Sequence, residues 1–392
     1  MNKINVYLDY KIENLSNYHG NSFPPLIYKY LLQHKNINAY NLNNKNLPNL
    51  DCIIIINGGS HWTYKDLRIN NFHKYQIIKW LYPKLKRYFF FIGIIFGFNK
   101  VGIYKRHLYP NKSYEKHISH LIKKNPGVKV IHRLDGIYQM IGKVYGYDKT
   151  IKSINQKSDL TIYQSKFSKR VWEEGTNTLF GKTTKLEPKY SKIINNGVDL
   201  SIFNTNAKKH NFGVKFPILN VSASPSPKKG LYKILELAEC LKENDDFHFY
   251  LIGNQIDDPF CGADIDSFKN VTYLGQVNSR HQLVEYYFGA KIFMFPSEDD
   301  CSPNVILEAM ACGLPILTIN SGGIPEIIYH GKLKAGIFLD EENPVMSLNT
   351  LIKFYDKYSS DAKIIVEEKF NIENTARYYI EEIKNLTLKE IS

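Results

Sequence analysis

Three consecutive acids, Glu298, Asp299 and Asp300, stand ahead of an apolar segment that keeps one more, Glu308, in the stretch EDDCSPNVILEAMACG at 298–313. From Pro303 to Cys312 the side chains are apolar on nearly every helical face, so the segment reads as a helix buried between a sheet and other helices. Ser302 is its expected N-cap with Pro303 in the first turn, and Gly313 and Pro315 end it. Burying a carboxylate there without donors costs on the order of several kcal/mol, so Glu308 needs partners. The helix start also offers open N–H groups and the positive end of the helix dipole, where phosphate commonly binds. A diphosphate on the amides of Asn304, Val305 and Ile306, beside Pro303, with Glu308 on sugar hydroxyls, satisfies both demands. A Glu bonded to neighbouring backbone or to a Lys satisfies the first alone, and residue chemistry does not separate the two.

These side chains must be held by a scaffold, and short runs rich in Val, Ile, Tyr and Phe alternate along the chain with segments of helical period. That alternation marks a parallel sheet with helices on both faces. It occurs twice. Strands are expected at 4–8, 52–57, within 88–96, and at 128–134, 160–165 and 192–195, then at 218–222, 247–253, 271–275, 292–296 and 315–319. Between the two sets, DLSIFNTNAKKHNFGVKFP at 199–217 is polar, basic and aperiodic, as a linker would be. The expected fold is α/β, with two Rossmann-like doubly wound domains facing an interdomain cleft. The first covers 1–205 and the second 206–375, and a final helix at 376–392 packs back toward the first.

Bulk properties agree. At 392 residues and 43% hydrophobic content the chain exceeds what one core usually supports. Lys plus Arg outnumber Asp plus Glu by 51 to 38, a net +13 that favours anionic partners such as nucleotide sugars or phospholipid surfaces. No basic-aromatic recognition motif accompanies the charge, so nucleic acid is not an expected partner. The five cysteines are scattered, odd in number and without a C-x-x-C pair, so they suggest neither a disulfide framework nor a zinc site and fit a reducing, cytoplasmic setting. The N-terminus MNKINVYLDY has no signal-peptide pattern, and the longest apolar run, 88–98, falls short of the roughly 20 residues a spanning helix needs. The basic and aromatic residues of 79–112 read as a buried strand with solvated flanks or as a surface resting on an anionic membrane.

The stretch at 300–315, DCSPNVILEAMACGLP, resembles the E-x7-E signature of the retaining glycosyltransferases of family 4, the group 1 glycosyl transferases, here in the form D-x7-E. Four further segments resemble that family's motifs in its order. They are SDLTIYQSKFSK (158–169), IINNGVDLSIF (193–203), KKGL (228–231) and SGGIPEII (321–328), so the likeness spans most of 128–330, while 1–127 match in architecture only. The resemblance implies the GT-B fold and transfer of a hexose-type sugar, with retention, from a UDP- or GDP-linked donor to a hydroxyl of a glycan or lipid-linked acceptor. It implies neither metal nor any cofactor beyond the nucleotide sugar. It places Glu308 on the donor ribose, Asp300 on the transferred sugar and Lys229 on the diphosphate.

The sequence departs from the family in places. Where an Arg usually precedes the K-G lysine by five residues this chain has Ser224, which leaves Lys228 to supply charge. Asp300 is one methylene shorter than Glu, a difference in reach of about 1.5 Å. Where the family often has a His facing the donor sugar, VIHRLDGIY places Asp135, either as a plain Asp-Gly turn or as a cleft acid beside Arg133, which suits a phosphate. Gly20 and Asn21 in HGNS, Gly58 and Gly59 in NGGS, and Ser165 complete the candidate acceptor and cleft residues. Asp264-Ile265-Asp266 lies in a polar loop and is read as surface, with no metal site. In the implied mechanism the leaving diphosphate takes the acceptor proton on the face it departs from, while Lys229, the helix amides and Arg133 stabilise its growing charge. A sugar-nucleotide epimerase, which would need its own acid/base set, and a catalytically silent nucleotide-sugar binder are the competing readings.

Overall fold

The computed structural model describes residues 3–10, 12, 23–44, 46–56, 112–136, 147–175, 177–178, 181–203, 208–222, 229–254 and 265–388. The first half contains β1 (Ile4–Asp9), α1 (Phe23–Gln33), β2 (Ile37–Asn41), β3 (Cys52–Ile56), α2 (Lys112–Lys124), β4 (Lys129–Leu134), α3 (Tyr147–Asn155), β5 (Leu160–Tyr163), α4 (Lys166–Glu174) and β6 (Ser191–Ile193). The second contains β7 (Phe216–Val221), α5 (Leu231–Cys240), β8 (Phe247–Ile252), β9 (Val271–Gly275), α6 (Arg280–Gly289), β10 (Ile292–Phe295), α7 (Asn304–Ala311), β11 (Ile316–Thr318), α8 (Ile324–Ile328), β12 (Gly336–Phe338), α9 (Pro344–Lys353) and α10 (Tyr355–Lys369). The helix α11 (Ile372–Leu388) follows.

Each half is built on a six-stranded sheet, ordered β2-β1-β3-β4-β5-β6 and β9-β8-β7-β10-β11-β12, with every neighbouring pair parallel. A parallel sheet covered by helices has no solvent face, which is why β3 is Cys-Ile-Ile-Ile-Ile, buried at every position. On one face of the first sheet Val6, Leu8 and Ile54 pack with Ile27 and Leu31 of α1 and with Ala376, Tyr379 and Ile383 of α11. On the other, Tyr7, Ile53 and Ile55 pack with Tyr114, Ile118 and Leu121 of α2. In the second sheet, Leu219 and Phe293 share a core with Ile306, Leu307 and Met310 of α7, and Phe249 and Leu251 share one with Leu235 and Leu237 of α5.

The strand order reverses between β1 and β3 in the first sheet and between β7 and β10 in the second. Loops diverge at such points and leave a crevice at the carboxyl ends of the strands. The chain leaves the first half through 195–203 and returns at Phe370–Ile372, where the two passages touch. Val198 N–H donates to Phe370 O at 2.7 Å and Ile372 N–H donates to Val198 O at 3.1 Å. Gly197 permits this contact, since a Cβ there would lie 2.5 Å from Ile372 Cα.

Two strands of the six-stranded sheets escaped the sequence reading. β2, INAYN, buries only Ile37 and Asn41 at the sheet edge, and β12 is the three-residue Gly-Ile-Phe at the opposite edge of its sheet. The strand expected within 88–96 lies outside the described residues.

Candidate functional site

The switch point of the second sheet brings together the loop after β10 and the start of α5. Lys229 Nζ lies 2.6 Å from Asp300 Oδ2 and sits over the Phe295 ring at 5.6 Å from its centroid. Gly230 makes that approach possible. Its φ is +76°, and a Cβ there would stand 2.2 Å from Pro296 O. The two residues assigned from sequence to a diphosphate and to a sugar hydroxyl are thus partners of each other in the structure.

The acid loop is clamped from the other side by Ser321-Gly322-Gly323. Asp299, with φ 53°, donates its N–H to Ser321 Oγ at 2.9 Å, and Gly323 N–H donates to Asp300 O at 2.8 Å. A Cβ on Gly322 would lie 2.3 Å from Asp300 O, so this Gly pair fixes the backbone that presents Asp300. Glu298 is exposed, as a solvated loop acid should be.

Pro303, not Ser302, is the N-cap of α7, and no side chain caps that helix. A residue before proline is held in extended backbone, and Ser302 is buried with its hydroxyl unpartnered among the described residues. Ile306 N–H already closes the first turn onto Pro303 O at 3.2 Å, so the anion site expected over Asn304 to Ile306 begins with its third amide engaged.

Glu308 is 2% exposed, and the Tyr287 hydroxyl donates to its Oε2 at 2.8 Å. Burial first, and then the Glu308 charge, push the Tyr287 phenol well above its ordinary pKa, so it remains a donor. The carboxylate, whose donors the sequence left open between protein and ligand, therefore has a protein donor on one oxygen. Sequence reading missed Tyr287 because Y-Y-F in α6 carries no sign of which ring faces α7.

Across from these residues stands the end of β4. Arg133 is 3% exposed, its Nη1 is 2.6 Å from Asp135 Oδ1, its Nη2 is 2.6 Å from Asn196 Oδ1, and its guanidinium carbon lies 3.9 Å from the Phe23 ring centroid. Arg133, the residue suited by its chemistry to a phosphate, has its fork buried on protein acceptors. Asp135 is the exposed member, with 42% of its side chain accessible, and Gln164 donates to it as well. Ser165, the other cleft candidate on this side, lies at the start of α4. It is the buried N-cap of α4, accepting from Ser168 N–H at 3.0 Å.

Asn196 ties the two sides together. Its amide nitrogen lies 2.9 Å from Gln164 Oε1, 2.9 Å from Asn304 Oδ1 and 3.3 Å from Ser302 O. A second tie runs from Glu326, whose carboxylate accepts Lys166 N–H at 2.8 Å and Phe167 N–H at 2.7 Å and so covers the open end of α4. Both residues stood in motifs quoted from the sequence, N-N-G-V-D and G-G-I-P-E, yet only the fold shows what they join.

Of the other candidates, Gly20, Asn21, Gly58, Gly59, Ser224 and Lys228 lie outside the described residues, as do 79–111 and Asp264. Among the described residues no group of His, Cys, Asp and Glu is arranged to hold a metal ion, and no helix is long and apolar enough to cross a membrane.

Residues 203–369 match the family described as glycosyl transferases group 1. The chain is 28% identical over 211 residues to a probable sucrose-phosphate synthase of Thermosipho melanesiensis, an alignment covering 50% of this chain and 48% of that protein. It is 34% identical over 114 residues to the N,N'-diacetylbacillosaminyl-diphospho-undecaprenol alpha-1,3-N-acetylgalactosaminyltransferase of Campylobacter jejuni, covering 29% of each. The chain thus spans about half the length, or less, of these curated relatives. By structure it superposes on the sucrose-phosphate synthase of Thermosynechococcus elongatus with TM-score 0.62 at 14% identity, covering 99% of this chain and 100% of that one. Against Anabaena HepE in complex with UDP and glucose the TM-score is 0.60 at 14% identity, covering 98% and 100%. The two six-stranded parallel sheets are the GT-B arrangement of these neighbours.

Proposed function

From the match of residues 203–369 to the glycosyl transferases group 1 family, we propose that this GT-B protein transfers a hexose-type sugar, with retention, from a nucleoside-diphosphate sugar to an acceptor hydroxyl. The observation that carries the reading is the Lys229–Asp300 contact at the switch point of the second sheet, one helix start away from the buried Glu308. A cation, a hydroxyl-binding acid and a second acid in a sheltered pocket are the set a sugar diphosphate needs.

In this reading Lys229 turns from Asp300 to the diphosphate when donor enters, which leaves Asp300 to accept from hydroxyls of the transferred sugar. Glu308, steadied by Tyr287, accepts from the ribose. As the glycosidic bond breaks, charge grows on the leaving diphosphate, and Lys229 with the first amides of α7 stabilises it. The diphosphate takes the proton of the incoming hydroxyl on the same face, so no metal and no protein base is required. Asp135, across the cleft, accepts from a sugar or acceptor hydroxyl. The neighbour solved with UDP and glucose supports a UDP-linked hexose as donor, with a GDP-linked one as the alternative. The undecaprenol-linked substrate in the name of the Campylobacter relative supports a glycan or lipid-linked acceptor, which the chain would reach from the cytoplasm or at a membrane surface.

The test is calorimetric titration of UDP and GDP, with their glucose and mannose conjugates, into wild type and Lys229→Ala. Loss of the lysine is expected to weaken the preferred ligand at least tenfold, about 1.4 kcal/mol, with circular dichroism unchanged. Equal affinity in the two proteins would remove Lys229 from the diphosphate site.

A further inference from the structure

The second half has another concave site, at the opposite pole from the cleft. A cavity of about 440 Å³ is lined by Lys209, His210, Phe288, Lys291, Tyr355 and Lys363, together with Asn211, Ser359 and the backbone turns at 289–290 and 312–314. Its position follows from the topology. Lys291 immediately precedes β10, Leu314 precedes β11, and Gly289 and Cys312 end α6 and α7, so these walls are the amino ends of strands and the carboxyl ends of helices. The cleft lies at the other end of the same α7, whose 8 residues span about 12 Å.

Its charge is one-sided. Three lysines line the cavity and no carboxylate does. None of the three makes an ion pair among the described residues. The carbonyl ends of α6 and α7 favour lysines here, but each contributes only about half a negative charge, so roughly two positive charges stay unbalanced. Two of the lysines are also placed rather than loose. Lys291 Nζ lies 5.6 Å from the Tyr355 ring centroid, and Lys363 runs across Gly313 so closely that a Cβ there would be 2.4 Å from its Cε. Asp356, next in sequence to Tyr355, is exposed and does not line the cavity.

We infer that this cavity binds a phosphate-bearing ligand, with the phosphate among Lys209, Lys291 and Lys363 and the ligand's body against Tyr355 and Phe288. The volume is in the range of small-molecule sites, roughly 300–1,000 Å³, and far exceeds what one inorganic ion fills. Lys209 and His210 belong to the segment joining the two halves, so an occupied cavity also holds that segment against α6. The site is separate from the proposed donor site and does not depend on that reading.

The test uses inorganic pyrophosphate and glucose 6-phosphate at constant ionic strength, with melting followed in wild type, in the double variant Lys291→Gln/Lys363→Gln and in Lys229→Ala. The expected result is a rise in melting temperature that survives Lys229→Ala and is lost in the double variant, with at least a tenfold drop in affinity. Co-sedimentation with phosphatidylglycerol and phosphatidylcholine vesicles separates the sources of phosphate. Binding to the first alone, lost in the double variant, assigns the cavity to a lipid headgroup, and no vesicle binding with retained pyrophosphate binding assigns it to a soluble phosphate. No response of wild type to any probe, an equal response in the double variant, or a response abolished by Lys229→Ala overturns the inference.

Discussion

Tyr287→Phe isolates the contact that decides what Glu308 is for. The ring is fully buried, 6.0 Å from Phe203 and 5.7 Å from Phe293 between centroids, so phenylalanine keeps the packing and removes one hydroxyl. That hydroxyl donates to Glu308 Oε2 at 2.8 Å inside the core. A hydrogen bond to a charged group contributes about 1.5–3 kcal/mol, and the lost phenol desolvation returns part of it. A net loss of about 1–2 kcal/mol is expected, and at about 2–4 °C per kcal/mol for a domain of this size the melting temperature falls by about 2–8 °C. If Tyr287 also aims Glu308 at the donor ribose, affinity for the nucleoside diphosphate falls about tenfold. The assays are thermal melting and calorimetric titration of the same preparations, with Glu308→Gln beside them. A lower melting temperature with unchanged nucleotide affinity would assign Glu308 to the core and refute its role as a ligand residue. No change in either quantity would refute the structural contact itself.

Two further outcomes follow from the geometry. Burial of His132 lowers its pKa to about 3 from 6.5, so the unfolded chain takes up a proton as pH falls through 6.5 while the native protein does not until about pH 3. Stability is therefore lost on acidification across that window, by about 2 kcal/mol from this group between pH 7 and 5; urea unfolding at both pH values should show a smaller difference in His132→Gln, and an equal difference would sink the argument. Glu326→Ala strips two amide partners from the start of α4 in the other half, so proteolysis within 195–203 is expected to quicken and melting to broaden, and an unchanged digestion rate would show that this carboxylate does not hold the halves together.

What the sequence disclosed and what it concealed divide along physical lines. Continuous apolar runs such as CIIII and FHFYLI declare buried parallel strands by composition alone, and the lone acid of α7 declares itself by standing where charge is costly. INAYN conceals an edge strand because edges need little apolar surface. Ser302 looked like a cap by residue type, but Pro303 behind it controls the backbone and the hydroxyl is turned to the interior. Tyr287, Asn196 and Glu326 were illegible for a different reason. Each acts on a partner 21, 108 or 159 residues away, and nothing local to any of them says which partner that will be. Arg133 is the converse case: a residue suited to phosphate by its chemistry is held by Asp135, Asn196 and Phe23, partners that its local sequence only partly discloses.

The paired passages at Val198 and Asn371 carry a mechanical consequence. A single connecting chain would let one half swing and spin on a tether, whereas two strands bonded side by side behave as the leaf of a hinge. Bending about the line of that bridge stays soft, since it changes only a few backbone torsions, while rotation about the long axis shears the bonds between Val198, Phe370 and Ile372. Gly197, with no room for a Cβ, lets the two strands lie close enough to act as one leaf. Two bonded passages thereby oppose rotation of one half on the other more than a single tether would, which keeps the loop of Lys229 and Asp300 on the side that carries Asp135.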